Sequence, residues 1–374
     1  MSEYCAVVPE FAAAIVGSGC AGLTLGHHLT ETGKGPIAII DPSVSRPDHT
    51  WGYWDDGSKD LALARTLTEA TWRKWAIIGS SSKVLLKGDK FIYRAISSRR
   101  FENHLRATMP TVRYLRGRVV SATCQKSSYL LETNKGNYVH ATRVFDSRTP
   151  SIPNGALLQH FVGWRICTKK SKFDPNTAIL MDFRVPQNLG IHFMYLLPFD
   201  SNNVLIESTV ISSQVLPISW YNHQIKQYLS KYYSITDFNI IKRERGIIPL
   251  ARLYSDDAFG IPIGMRAGAL RASSGYAFSQ IQKQITEMVY GDKLDFAKPG
   301  CDAIEAWMDQ VLLRVLRSTP KRAPELFMNI AKAIDGDSFA RFMRGHGDLK
   351  GRIRIMSKLP AGLFLKAALS RGRL

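Results

Sequence analysis

The segment Gly17-Ser18-Gly19-Cys20-Ala21-Gly22 constrains this chain more than any other stretch. It follows the apolar run Ala12–Val16, which reads as a buried strand. It precedes Leu23–Thr32, whose apolar spacing predicts a helix stopped by Gly33. A second buried strand, Pro36–Ile40, ends at Asp41, nineteen residues after Gly22. A G-x-G-x-x-G turn in that setting is the phosphate-binding turn of a β-α-β dinucleotide fold. Gly17 permits the tight turn, Gly19 lets a pyrophosphate approach the backbone, and Gly22 brings helix and strand together. The phosphates then lie at the positive end of the helix, and Asp41 is placed to accept hydrogen bonds from ribose hydroxyls. Gly26 continues the small face toward the sheet. Taken alone, the segment leaves FAD and NAD both open.

Further along, Val119–Thr123, Tyr129–Thr133, Tyr138–Ala141 and Arg143–Asp146 read as short strands, with a turn at Asn134–Asn137. Between Gln159 and Val210 the pattern lengthens. His160–Thr168, Ala178–Arg184, Ile191–Pro198 and Val204–Val210 predict an antiparallel sheet. The remainder is expected to be mostly helical. Ile304, Trp307, Met308, Val311, Leu312, Val315 and Leu316 recur at helical spacing as one apolar stripe, with Asp302 and Glu305 as N-cap and N3 partner. The expected fold class is therefore α/β. A Rossmann-like nucleotide unit (11–155 and 255–300) would join an antiparallel substrate unit (156–254) and a helical, basic C-terminal region (301–374).

Charge narrows the partners. Fifty Lys and Arg face 31 Asp and Glu, a formal net charge of +19. From Ala340 to Leu374 nine Lys or Arg are opposed only by Asp348. Such an excess points to anionic lipid, nucleic acid or an acidic substrate, and no nucleic-acid-binding module is present. Lys350–Leu374 alternates Arg352, Arg354, Lys358 and Lys366 with Ile353, Ile355, Met356, Leu359, Leu363, Phe364 and Leu365. That is the composition of a helix lying on an anionic membrane, with a solvated tail on a packed helix as the alternative. Five scattered cysteines without a C-x-x-C pair fit a reducing cytoplasm and exclude a disulfide framework or zinc site. The apolar stretch Phe11–Leu25 lacks the basic start of a secretory leader, and no run of about 18 apolar residues spans a bilayer. The expected location is cytoplasmic, on the inner face of the membrane.

Several stretches, in order along the chain, resemble the lycopene β-cyclases of bacteria and plants. Arg46-Pro47-Asp48-His49-Thr50-Trp51-Gly52-Tyr53-Trp54 is similar to their R-x-x-H-T-W-x-x-W segment. Gln159–Trp164 resembles Q-x-F-x-G-W, and Met181–Arg184 resembles M-D-F/Y-R. Phe193–Pro198 with Leu205–Thr209 is similar to F-x-Y-x-L-P and L-x-E-x-T. Glu244–Leu250 follows E-x-G-x-x-P, and Gly268–Tyr276 resembles the late flavin segment. Two departures stand out: Arg271 and Ala272 replace a His-Pro pair, and Ser208 stands where a second acid often follows the glutamate. No Gly-Asp pair occurs at Gly264-Met265, and Phe145-Asp146-Ser147-Arg148 replaces an Asp-Gly motif. The lack of these Gly-Asp and Asp-Gly motifs argues against an ordinary flavin hydroxylase, while the two departures bear on the end-group outcome.

The resemblance implies an enzyme that cyclises the linear ends of lycopene and related carotenes by acid initiation, with no net redox change. It implies reduced FAD as cofactor, with NAD(P)H as the source of reductant. A flavin monooxygenase or a prenyl reductase acting on a related lipid is the competing enzyme, and a carotenoid-binding flavoprotein scaffold the non-enzyme alternative. Chemistry of this kind needs an acid kept protonated by burial, electron-rich rings around a carbocation, and exclusion of water. Glu207 is the expected acid, since it interrupts an apolar strand and matches the family's glutamate. Glu244 is a second carboxylate candidate. Trp51, Trp54, Phe193, Tyr195 and Tyr276 are candidates to line the cation site. Gly17, Gly19, Gly22, Asp41, Gly264 and Gly275 are the candidate cofactor contacts, and no metal is expected.

Overall fold

The computed structural model describes residues 10–370 apart from 44, 126, 254–256 and 292. Cys5, the last four residues of the basic tail and the expected boundary near 255 lie outside the described residues. Among the described residues there are two seven-stranded sheets and a three-stranded sheet.

The first sheet is the nucleotide half. Its strand β1 (Phe11–Val16) feeds helix α1 (Cys20–Glu31), which returns to β2 (Ile37–Asp41). With β8 (Arg113–Arg116) and β11 (Tyr138–Asp146), these strands form the parallel array β8-β2-β1-β11. β9 (Val119–Gln125) and β10 (Ser128–Thr133) extend it antiparallel, and the short β17 (Ile261–Pro262) runs parallel to β11. The two strands expected at 138–141 and 143–146 are one. β11 pairs antiparallel with β10 up to Ala141, then parallel with β1 from Ala141 to Asp146. The pairing partner changes midway and the strand does not break. Helices α2 (Ala62–Thr66), α3 (Ser98–Ala107) and α5 (Phe278–Tyr290) complete this half, and α5 packs against α1.

The second sheet has the order β16-β12-β15-β14-β13-β5-β6. β12 (Leu157–Cys167), β13 (Thr177–Asp182), β14 (Ile191–Pro198) and β15 (Asn203–Ser212) lie where the alternation places them. Three members come from elsewhere. β5 (Lys74–Ile78) and β6 (Lys83–Lys87) come from within 11–155, and β16 (Asn239–Leu250) lies inside the expected 156–254 unit but beyond the strands assigned to it. The sheet is not purely antiparallel, because β5 pairs with β13 in parallel. Helix α4 (Ile218–Tyr233) covers one face, over Trp164, Met194, Ile206 and Val210. The other face carries Leu205, Phe193 and Leu197 and belongs to the largest core cluster. Between that face and the nucleotide half stands the small sheet of β3 (Thr50–Asp55), β7 (Ile92–Ser97) and β4 (Ala70–Trp72). Side chains alternate along a strand: Trp54 of β3 joins the core of the second sheet, while Tyr53 joins the nucleotide core.

Helices α6 (Ala303–Ser318), α7 (Ala323–Ala333), α8 (Gly336–Arg344), α9 (Leu349–Lys358) and α10 (Ala361–Leu369) close the open end of this core. The apolar stripe of α6 holds only in its second half. Val311, Leu312, Val315 and Leu316 are buried, but Ile304 and Trp307 are exposed, while Glu305 and Asp309 are 0% and 1% exposed. Arg271 is the cause. Its guanidinium, 1% exposed, lies 3.1 Å from Asp309 and 3.4 Å from Glu305 and stacks over Phe342. Asp302 does cap α6 by accepting from the Glu305 N–H, but the Glu305 carboxyl does not reach back. It receives instead the Gly347 N–H and Arg352 Nη2, the latter at 2.8 Å. Arg352 thus turns inward and is not one of the tail's exposed cations.

A buried cation removed from two buried carboxylates leaves charge without compensation, which costs several kcal/mol. Arg271→Met is expected to lower the unfolding free energy by about 3 kcal/mol, read from urea denaturation midpoints. An unchanged midpoint would mean that Arg352 alone satisfies the acids.

Candidate functional site

Around the glycine turn the backbone is bent as a phosphate site requires. Gly17 sits at φ +101°, where a side chain would strain the chain. A Cβ on Gly22 would come within 2.0 Å of the Gly17 carbonyl oxygen, so this glycine keeps the turn itself closed. Gly19 is the N-cap of α1 and supplies no side-chain cap, so the first amides of the helix are left to an anion. Asp41 ends β2 and accepts the Ser18 N–H at 2.7 Å and the Ser43 N–H at 2.7 Å. It also pairs with Arg46 at 2.5 Å. Arg46 Nη1 lies 2.6 Å from where a Gly19 Cβ would be, so a cation overhangs the turn. Gly264 adopts φ +65° and abuts Ala21 at the start of α1, with its N–H on Gln284 Oε1. Gly275, at φ +73°, lies against Ile248 of β16, away from the turn. These features fit a dinucleotide. Asp146, buried at the end of β11, is occupied by Arg148 and the Phe259 N–H.

The acidic site is built by strand register. On β12, Gly163 is paired with Glu207 of β15 on one side and Glu244 of β16 on the other. On β14, Tyr195 is paired with Glu207. Directly paired residues share a face, so Tyr195, Glu207, Gly163 and Glu244 form one row across four strands. Gly163 has no side chain, and the two carboxyls meet above it: a Cβ there would lie 2.9 Å from Glu207 Cγ and 3.2 Å from Glu244 Cγ. Both acids are buried, Glu207 at 8% and Glu244 at 5% exposure. Burial pushes the Glu207 carboxyl well above the usual carboxylate range, and the charge and hydrogen bond of Glu244 push it further. Burial and the neighbouring carboxyl thus both favour the protonated form of Glu207. Glu244 Oε2 takes the Thr50 N–H at 2.6 Å and lies 3.5 Å from Lys242 Nζ.

Aromatic side chains adjoin the row. Tyr195 Oη is 2.8 Å from Tyr93 Oη, which is 3.2 Å from Tyr276 Oη. Burial raises all three phenols well above their ordinary range, so they remain neutral hydrogen-bonding groups. Trp54 packs on Tyr93 and Tyr276 at ring distances of 4.8 and 4.9 Å. Gly52 of β3 makes room for the phenols, since its Cβ would meet Tyr93 Oη at 2.3 Å and Tyr195 Oη at 2.7 Å.

The structure therefore brings together Glu207, Glu244, Tyr195, Tyr276 and Trp54. Trp51 is not among them. It alternates to the other face of β3 and packs on Phe101 and Phe278 in the nucleotide half. Phe193 shares the face of Tyr195 but packs against Phe183. Sequence reasoning missed Gly163, Tyr93, Thr50 and Lys242. Gly163 alone carried a signal, because a glycine inside a strand marks a close approach. Ser208, next to Glu207 on β15, points to the opposite face, where its hydroxyl meets buried His192 at 2.9 Å under α4. Its identity does not alter the Glu207 face.

In overall shape the chain is similar to flavin enzymes. A geranylgeranyl bacteriochlorophyll reductase-like protein from Thermoplasma acidophilum matches with TM-score 0.59 and 11% identity, covering 95% of this chain and 98% of that one. A flavin-dependent brominase matches with TM-score 0.57 and 13% identity, covering 93% and 98%. At such identities the likeness is one of fold: a Rossmann-like α/β architecture with a second sheet. Sequence similarity reaches further. A lycopene beta-cyclase of Pantoea ananas is 24% identical over 385 residues, spanning 94% of this chain and 95% of that protein. One from Paracoccus sp. is 31% identical over 184 residues, 45% of each. The chloroplastic lycopene beta cyclase of Solanum lycopersicum is 25% identical, and the chain spans 56% of its length. The family model described as lycopene cyclase protein matches residues 13–368. The chain belongs to the lycopene cyclase family.

Proposed function

We propose that this protein is a lycopene β-cyclase that closes the linear ends of lycopene to β-rings, giving γ-carotene and then β-carotene. The observation that carries the reading is the buried carboxyl pair over Gly163, whose member Glu207 lies beside phenol and indole rings and has its carboxyl raised by burial. The reaction balances within this pair. The Glu207 proton moves to the terminal double bond, and the neighbouring double bond closes on the resulting cation. A ring C–H proton then leaves to the carboxylates that had just lost one. The product is an isomer of the same mass. Trp54, Tyr93, Tyr195 and Tyr276 present electron-rich faces to such a cation. Covering both faces of the second sheet keeps out the water that would trap it as an alcohol.

FAD in its reduced form is the cofactor of this reading, with NAD(P)H as reductant. When bound, it would add an electron-rich ring system that stabilises positive charge. Gly17, Gly19, Gly22 and Asp41 would hold its nucleotide part, and Gly264 lies against the same helix end. Gly275 belongs to the loop that carries Tyr276 beneath the acidic row.

A hydrocarbon substrate is taken from a bilayer, and the C-terminal helices have the surface for it. Leu349, Ile353, Met356, Leu365 and Leu369 are exposed on α9 and α10, interleaved with Lys350, Arg354, Lys358 and Lys366. Among the described residues no helix is long and apolar enough to cross a membrane. Peripheral attachment to the cytoplasmic face is the arrangement proposed.

Expressed in lycopene-accumulating cells, the chain is expected to convert the pigment to γ- and β-carotene at unchanged mass. Glu207→Gln should lower conversion by about a hundredfold or more while the purified protein keeps its flavin absorbance. Full activity in that variant would remove Glu207 from the chemistry. An acid whose carboxyl is raised by burial works while protonated. Turnover should therefore hold through the range in which exposed carboxylates ionise and fall only as pH rises past the elevated Glu207 value. A rate that instead climbs with pH would assign a base. Replacing Lys350, Arg354, Lys358 and Lys366 with Glu should abolish co-sedimentation with anionic vesicles, each cation contributing about 1 kcal/mol. Equal recovery with and without the charges would place the membrane contact elsewhere.

A further inference from the structure

Two carboxyls that share a proton can hold it on either member, and only a proton on Glu207 lies beside the aromatic rings. The surroundings of the two acids differ sharply. Donors gather on one oxygen of Glu244: the Thr50 N–H at 2.6 Å and Lys242 Nζ at 3.5 Å both address Oε2. Its buried Oε1 is left to the Glu207 carboxyl. Glu207 faces two charged groups, Glu244 and Lys242, both from β16. The other packed elements present neutral groups: Tyr195 from β14, Tyr93 from β7, Tyr276 from the loop before α5, and β3 through its backbone.

Lys242 is itself fixed. It stands two residues before Glu244 on the same face of β16, with Nζ 2.9 Å from Asp48 Oδ2. The other oxygen of Asp48 is taken by Ser97 Oγ at 2.7 Å and the Arg99 N–H at 3.1 Å. Burial would raise the Asp48 carboxyl, but its bonds to Lys242 and Ser97 outweigh this and hold it below its usual value. Lys242 and Asp48 are only about a fifth exposed, so bulk solvent screens this ion pair weakly.

We propose that Lys242, anchored by Asp48, is a positioning residue for the acid: its ammonium, with the Thr50 N–H, holds Glu244 as the acceptor of the pair, so that the shared proton stays on Glu207 and remains transferable. The proposal rests on the cyclase reading for its purpose, though not for its electrostatics. Beside a bare carboxylate, Glu207 would grip its proton and be a poor acid toward an alkene. The ammonium offsets that grip.

Lys242→Met and Lys242→Arg test this in the purified full chain, with Glu207→Gln as the blank. The carboxylic C=O infrared band that disappears in the blank is titrated against pH in each protein. Its midpoint should move to higher pH by roughly one unit in Lys242→Met and return toward wild type in Lys242→Arg. Lycopene turnover from vesicles should show the same displacement of its alkaline limb, with lower kcat and little change in KM. An unmoved midpoint in Lys242→Met, or an Arg variant displaced as far as the Met variant, overturns the proposal. A midpoint that moves in a protein that never isomerises lycopene leaves the electrostatic role standing and removes the cyclase reading. Should Lys242→Met fail to fold, Lys242→Gln takes its place, with the same upward shift expected and an unmoved midpoint overturning the proposal.

Discussion

Two carboxyl groups held against each other in a dry sheet are the feature around which this molecule is arranged. Burying one ionised carboxylate is costly, and burying two within contact is prohibitive unless they share a proton. The contact exists because three strands agree in register at Glu207, Gly163 and Glu244, and because the middle residue has no side chain. Slipping any of these strands by one residue would turn its member of the row to the opposite face, under α4. The sheet must therefore be covered on both sides and pinned along its length. This explains why its edge recruits β5 and β6 from an early part of the chain, and why the three-stranded sheet is wedged between the two halves.

The cover on the carboxyl face carries a charged seam of its own. Arg271 belongs to the loop that leads to Tyr276 and α5, while Glu305 and Asp309 belong to α6 and Arg352 to α9. These groups tie the C-terminal helices to the loop that delivers Tyr276 to the phenol cluster. The two buried acids on α6 are matched to the Arg271 guanidinium. A neutral residue there would leave them uncompensated. The arginine and the acids form one device, placed so that its charges lie at the junction and not among the rings.

Much of the fold could be read from the sequence because its determinants are local. The phosphate turn, the first helix and the four strands β12 to β15 of the second sheet follow from glycine placement and periodicity over a few residues. What escaped depends on partners far along the chain. The N-terminal half of α6 looked apolar-inward because Ile304 and Trp307 keep the period, yet Arg271 draws the opposite face inside. Trp51 looked like a companion of Trp54, but three residues along a strand separate opposite faces. Glu207 was legible through resemblance. Glu244 was legible only weakly and Tyr93 not at all, because their roles arise from register across strands and from meetings between separate sheets.

The same asymmetry governs the basic excess. Along α9, Arg352 turns inward to Glu305 while Lys350, Arg354 and Lys358 remain outside. Ile355 is buried while Ile353 and Met356 are exposed. Each face of the helix thus carries both an apolar and a cationic residue, which a helix stabilised by burial alone would not do. An ion pair at its first turn and Ile355 in the core suffice to dock α9, and this frees its outer apolar residues from any packing duty. Exposed leucine and isoleucine gathered in one patch rimmed by polar residues mark an interaction surface. Their position between cations fits cover by anionic lipid, and the charge they sit among is the charge that folding of the chain leaves unused.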